Sequence, residues 1–189
     1  MDATALSGGF AQPAIDAAHV FRDVLQAMAR PGRIARITGV SPPPGLSPAA
    51  ASVLLTLADE TTPVYLAGAC DSAPIRNYLR FHTGAPISDR KDAAFALGNW
   101  EALTPLAGYP LGSDEYPDRS ATLIIELPAL CDDGTRLTGP GIRTHAQLSL
   151  PEIDAFIANA RHFPRGLDFI FTSGTAIAAL PRTTRVEAG

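Results

Sequence analysis

One stretch limits what this chain can fold into more than any other: Leu167 to Thr172, then Ser173-Gly174, then Ala176 to Leu180. Large apolar and β-branched residues in a short run have the composition of a buried strand. Ser-Gly is a turn signal, so the two runs predict a β-hairpin. The segment after it is unusual near a chain end. Pro181-Arg182-Thr183-Thr184-Arg185 is densely polar where a frayed tail is the ordinary expectation. Guanidinium forks and threonine hydroxyls hold a phosphate or carboxylate through several hydrogen bonds at once. The plainer reading is that the two arginines are solvated charges ending the strand.

Upstream, strands and helices alternate. Residues 1–13 read as a loose arm rich in Gly, Ala and Ser. A helix is predicted from near Asp16, with Phe21, Leu25 and Met28 as its stripe and Val24 beside them, ending at Pro31-Gly32. Arg33 to Thr38 alternates like a half-exposed strand. Ser47-Pro48 is an N-cap followed by proline at N1, and Ala51, Leu54, Leu55 and Ala58 give that helix a buried face. Val64 to Ala67 is a strand, and Ile75, Tyr78, Leu79 and His82 stripe the next helix, which Gly84 and Pro86 close. Ala93 to Leu97 is a short strand. Residues 99–119 read as a long irregular loop, of the sort that covers a site or meets a partner.

Ala121 to Leu127 is the clearest central strand. Thr135 to Thr138 returns after an Asp133-Gly134 turn and runs into Gly139-Pro140-Gly141. Ile153, Phe156, Ile157 and Ala160 mark the last helix. The pattern predicts an α/β fold of three layers, a mixed β-sheet flanked by helices, in a single domain over residues 1–189.

Composition narrows the function. At 46% hydrophobic and 18% charged residues, disorder is excluded as the overall state. A net charge of −4 argues against non-specific nucleic-acid binding. No apolar run approaches the ~20 residues that cross a bilayer, and no basic-then-apolar leader is visible, so no membrane is implied and a cytoplasmic protein is expected. Cys70 and Cys131 suggest neither a disulfide framework nor a metal or iron–sulfur site. Of the 15 basic residues only Lys91 is a lysine, so any Schiff base must use it. It lies in the charged run Asp89-Arg90-Lys91-Asp92, which is expected to face solvent.

The familiar catalytic signatures are missing: no phosphate-binding Gly-x-x-x-x-Gly-Lys loop, no Gly-x-Ser-x-Gly elbow. No catalytic residue is assigned. What remains is a set of anion-binding candidates at element ends: Arg80, His82 and Thr83; Arg136 and Thr138; Arg182, Thr183 and Thr184. For the first group a helix C-terminus needs the same residues for its own dipole.

Four segments in order carry a family resemblance: Ser52-Val53-Leu54-Leu55-Thr56-Leu57-Ala58-Asp59; Leu79-Arg80-Phe81-His82-Thr83-Gly84-Ala85-Pro86; Arg136-Leu137-Thr138-Gly139-Pro140-Gly141-Ile142; and Phe163-Pro164-Arg165-Gly166-Leu167-Asp168 with Leu180-Pro181-Arg182-Thr183-Thr184. Together they resemble the PhnH family of the bacterial carbon–phosphorus lyase system, from about Asp16 to Glu187. The resemblance implies a fold similar to the pyridoxal-phosphate-dependent transferases but without the cofactor, and a homodimer when isolated. It implies a core complex with subunits G, I and J that couples a phosphonate to the ribose C1 of ATP, leaving ribose 1-phosphonate 5-triphosphate. The chain is then expected to have no activity alone. The alternative is a transferase subunit that binds phosphonate or nucleotide through its Arg/Thr residues.

Overall fold

The computed structural model describes residues 7–187. The hairpin is present as β7 (Asp168–Ser173) and β8 (Ala176–Leu180), joined at Gly174 with φ +56°. Glycine at the first central position of a two-residue hairpin turn matches the twist of the strands. Around the hairpin runs a six-stranded sheet in the order β1-β8-β7-β4-β3-β2. Its other strands are β1 (Ala35–Arg36), β2 (Val64–Leu66), β3 (Phe95–Asn99) and β4 (Thr122–Glu126). β2, β3, β4 and β7 are parallel, whereas β8 and β1 are antiparallel additions. The sheet is therefore mixed, and β4 lies near its middle, as its continuous apolar run requires.

Alternation along each strand feeds two cores. Leu97, Ile124, Ile170, Ile177 and Ala179 face one side, under α1 (Pro13–Ala29), α2 (Pro48–Leu57) and α3 (Ala73–Thr83). Leu123, Ile125, Phe169, Phe171, Ala178 and Leu180 face the other. There they meet α4 (Trp100–Leu103), α5 (Ile153–Ala160) and a second sheet of β5 (Thr135–Thr138), β6 (Ala146–Leu148) and β9 (Arg185–Glu187), in the order β6-β5-β9. Phe156 sits at the centre of this layer, 4.9 Å edge-on from Phe169 and 4.9 Å from Trp100. The expected three layers are present, with a small antiparallel sheet completing one of them.

Several elements differ from expectation. α1 begins three residues before Asp16, with Pro13 in its first turn and the Asp16 carboxylate accepting from the Gln12 N–H at 2.8 Å. Its buried face is Val20, Val24 and Ala27, not Phe21 and Leu25, which are about half exposed. Those smaller residues stand at i, i+4 and i+7 and let α1 approach α2 closely. α2 is capped as expected, the Ser47 hydroxyl accepting from Ala50 N–H at 3.1 Å. Of the loose arm, residues 1–6 lie outside the described residues. Gly8 is anchored: its carbonyl accepts from Ser41 N–H and from the Tyr78 hydroxyl. The 99–119 loop opens with the short helix α4, and Arg90 holds it down. That guanidinium donates to the Pro105 carbonyl at 2.9 Å and lies 4.9 Å over the Tyr109 ring.

Candidate functional site

The eight candidates do not form one site. α3 lies on one face of the large sheet, and the small sheet that carries Arg136 and Thr138 lies on the other. At the α3 end the candidates build the helix terminus. The Thr83 hydroxyl donates to the Leu79 carbonyl at 2.7 Å and accepts from Ala85 N–H at 3.0 Å. Gly84, at φ +73°, takes the left-handed cap position. Arg80 is exposed in this last turn, at the negative end of the helix dipole, where an anion is disfavoured. His82 is half-buried, 4.5 Å from the Tyr78 ring, and a side chain at Gly9 would collide with it. Burial lowers its pKa, partly offset by a hydrogen bond to the Ser7 backbone.

On the small sheet, Arg136 and Thr138 both serve Glu187 on the adjacent strand. Arg136 pairs with its carboxylate at 2.9 Å, and the Thr138 hydroxyl donates to it at 3.1 Å. Both are partly or fully exposed, so the pair is worth little to stability.

Arg182 is placed quite differently. It follows β8 and turns back beneath the start of β7, with its side chain 13% exposed. It forms an ion pair with Asp168, the first residue of β7, through Nε and Nη2. Nη2 also donates to Ser120 Oγ, and Nη1 donates to the Pro117 carbonyl at 2.6 Å. The Arg182 backbone N–H reaches the same Asp168 carboxylate at 2.8 Å. One guanidinium thus ties the 117–120 segment, the head of β7 and the end of β8 together. Every nitrogen of the fork has a partner inside the chain, so Arg182 is committed to the fold rather than presented to a ligand.

Beside this knot is a cavity of about 580 Å³. Thr138, Thr183 and Thr184 line it, as do Arg182, Arg185 and Phe163. Gly139, at φ +129°, closes one wall, and a Cβ there would stand 3.1 Å from the Thr183 carbonyl. Gly141 is needed for a similar reason: a Cβ would overlap the Ala29 carbonyl. The two glycines therefore serve contacts within the chain. The structure brings together Thr138, Arg182, Thr183 and Thr184, but not Arg80, His82, Thr83 or Arg136.

Some residues that hold the structure together carried no clear sequence signal. Asn159 is buried and pairs twice with the Leu167 backbone, as a strand neighbour would, at 2.9 and 2.8 Å. Glu126, at the far end of β4, accepts from Ser47 N–H at 2.8 Å and from the Thr172 hydroxyl at 2.9 Å. Cys70 is near it, and burial with that carboxylate pushes its thiol to about 11, so it is not a nucleophile at neutral pH. Among the described residues no three His, Cys, Asp or Glu side chains converge on a metal position. Nor, among the described residues, is any helix long and apolar enough to cross a membrane.

The fold and these sites define a mixed α/β domain whose best-placed charges hold its own segments together. Comparison with known proteins makes this specific. The family described as "Bacterial phosphonate metabolism protein (PhnH)" matches residues 8–187, and the chain belongs to that family. It is similar to the "Alpha-D-ribose 1-methylphosphonate 5-triphosphate synthase subunit PhnH" of Rhizobium meliloti (strain 1021), 42% identical over 96% of this chain and 95% of the relative. It is also similar to the "Putative C-P lyase subunit protein HtxG" of Stutzerimonas stutzeri, 32% identical over 88% of this chain and 84% of the relative.

Proposed function

We propose that this chain is a non-catalytic subunit of a carbon–phosphorus lyase system. It works in the cytoplasm with partner subunits G, I and J to couple a phosphonate to the ribose C1 of ATP during phosphonate catabolism. The observation that carries this reading is the state of Arg182. The residue best suited to grip a transferring anion is committed to Asp168, Ser120 and Pro117. Among the described residues no nucleophile hydrogen-bonded to a base accompanies it.

The assembly role draws on α1. Ile15, Phe21 and Leu25 leave an apolar outer face on a helix whose inner face is also apolar. A helix apolar on both sides is normally covered on both. This face supports a homodimer in the isolated protein. Phe21→Asp with Leu25→Asp is expected to give a monomeric mass by light scattering while leaving the Tm close to that of the parent.

A fold similar to the pyridoxal-phosphate-dependent transferases belongs to the same proposal, and the cofactor itself does not fit. Its aldimine needs a lysine in a closed pocket. The chain's single lysine, Lys91, is exposed on a tight turn over Arg90–Asp92.

Reconstitution tests the whole reading. Subunits G, I and J with this chain should form ribose 1-phosphonate 5-triphosphate from ATP and methylphosphonate. Omitting this chain should abolish the product. Turnover by the isolated chain would refute a non-catalytic role.

A further inference from the structure

A groove of about 740 Å³ lies along α5, on the opposite side of the large sheet from α1. One wall is the helix and its two flanks: Glu152, Ala155, Ala158, Asn159 and His162 recur every three or four residues on one side. Glu152 and His162 are ten residues apart, which makes the groove about 15 Å long. The facing wall is the 104–111 segment, with Leu106 and Leu111 turned to the helix. That wall is fixed from behind. Arg90 donates to the Pro105 carbonyl at 2.9 Å, the Tyr109 hydroxyl to the Leu103 carbonyl at 3.1 Å, and the Gly166 N–H to the Leu111 carbonyl at 3.0 Å. A preformed groove binds without the cost of ordering its own walls.

The polar groups between its ends are already engaged. The Asn159 amide is paired with the Leu167 backbone, and the Thr104 hydroxyl donates to the Glu101 carbonyl. A small-molecule site needs a few free polar groups to fix its ligand, and none remains there. Ala107, Gly108, Ala155 and Ala158 instead leave room for another backbone to approach. The two ends carry opposite charge. Glu152, accepting from the Trp100 indole N–H at 3.1 Å, and Asp154 stand at the start of α5, and Arg161 and His162 stand at its end. Among the described residues none of the four has an ion-pair partner. A helix favours acidic residues at its own start and basic residues at its end. Laid antiparallel to α5, it brings its acids to Arg161 and its bases to Glu152 and Asp154.

We propose that this groove docks an amphipathic helix of a partner subunit, running antiparallel to α5. About ten residues of that helix span the groove at 1.5 Å each. Its large apolar side chains, at i, i+3 or i+4 and i+7, enter between α5 and the 104–111 segment. A second copy of this chain fits less well, because its own α5 offers Ala155 and Ala158 where large side chains are needed. Docking of this kind rests on the chain being an assembly subunit, and it leaves the outer face of α1 free for a separate contact.

Binding of the full chain to subunits G, I and J, measured by interferometry, tests this. Ala158 is exposed, so Ala158→Trp fills the groove without entering the core. It should keep the Tm and the mass of the parent while weakening binding about 30-fold or more, the effect of a blocked hot spot. Arg161→Glu should weaken binding about fivefold, and by less at high salt, as a rim charge does. A benzophenone side chain placed at Ala107 should crosslink to a segment of G, I or J with helical apolar spacing, acids at its start and bases at its end. Wild type that binds none of the three subunits refutes the assembly role and the docking together. Wild type that binds, with Ala158→Trp binding as tightly, overturns the docking alone. So does a crosslink to a second copy of this chain or to a segment without that spacing, or a change of mass in isolated Ala158→Trp.

Discussion

The two ends of the parallel strands each bury a charged side chain in a knot, and they do so in opposite ways. At the amino end Arg182 meets a carboxylate, a hydroxyl and a carbonyl, so its charge and its donors are matched together. At the carboxyl end Glu126 meets only neutral donors, Ser47 N–H and the Thr172 hydroxyl. The first knot is an ion pair. The second is an N-terminal latch, in which a carboxylate sits against the start of α2, where the helix dipole favours it. Open α/β sheets usually take their ligands at the carboxyl ends of the strands. Here the clefts at that end are lined by Asn99, Glu101, Glu126 and Cys70, without a basic residue among them. The basic and hydroxyl groups gather instead beside the small sheet. The distribution of charge around the sheet thus follows the placement of individual side chains, not the class of fold.

Substitution at the amino-end knot should have the larger effect. Arg182→Ala leaves Asp168, 16% exposed, without its cation. Loss of one partner from a buried pair costs about 3 kcal/mol or more. In a chain of this size that lowers the Tm by roughly 6–12 °C in a thermal melt. At the carboxyl end, Glu126→Ala strands one backbone donor at the head of α2, while the Thr172 hydroxyl keeps the Ile125 carbonyl as acceptor. A loss of about 1–3 kcal/mol is expected there, read by urea unfolding. If Glu126→Ala proves the more damaging, the ranking of the two knots is reversed.

The smallest effect is expected outside both knots, at His82. Its folded pKa is depressed by burial, so the unfolded chain binds the proton more readily. The contribution of neutral His82 is complete above the ordinary histidine value of about 6.5 and is lost as pH falls through the lower folded value. Wild type should therefore lose slightly more stability than His82→Phe between neutral and mildly acidic pH. Equal slopes would show that His82 does not couple folding to pH.

Much of the fold was legible because it is written in periodicity and punctuation. The β7–β8 hairpin, the β4 run and the Ser47-Pro48 helix start carry their own local signals, and all three are present. β6 and β9 were not legible. Each is three residues long and is a strand only because β5 lies between them. The buried face of α1 escapes a sequence reading for a related reason. Size favours Phe21 and Leu25, whereas close packing on a neighbouring helix selects the smaller Val20, Val24 and Ala27. Half of the candidate residues gather at the Arg182 cavity. Sequence did not show that Asp168, at the head of an apolar strand, would claim Arg182. An acidic residue opening a buried run is nevertheless a signal, because it requires a cation nearby.

If Arg182 acts through Asp168 to hold the sheet together, the two side chains must be energetically coupled. A double-mutant cycle with Arg182→Met and Asp168→Leu, followed by equilibrium unfolding, measures that coupling. Each single change should strand a buried charge and cost about 3 kcal/mol, while the double variant, with neither charge left, should cost clearly less than the sum. Strictly additive losses would show that the two side chains do not stabilise one another, and the knot would then be no more than a neighbourhood of charges.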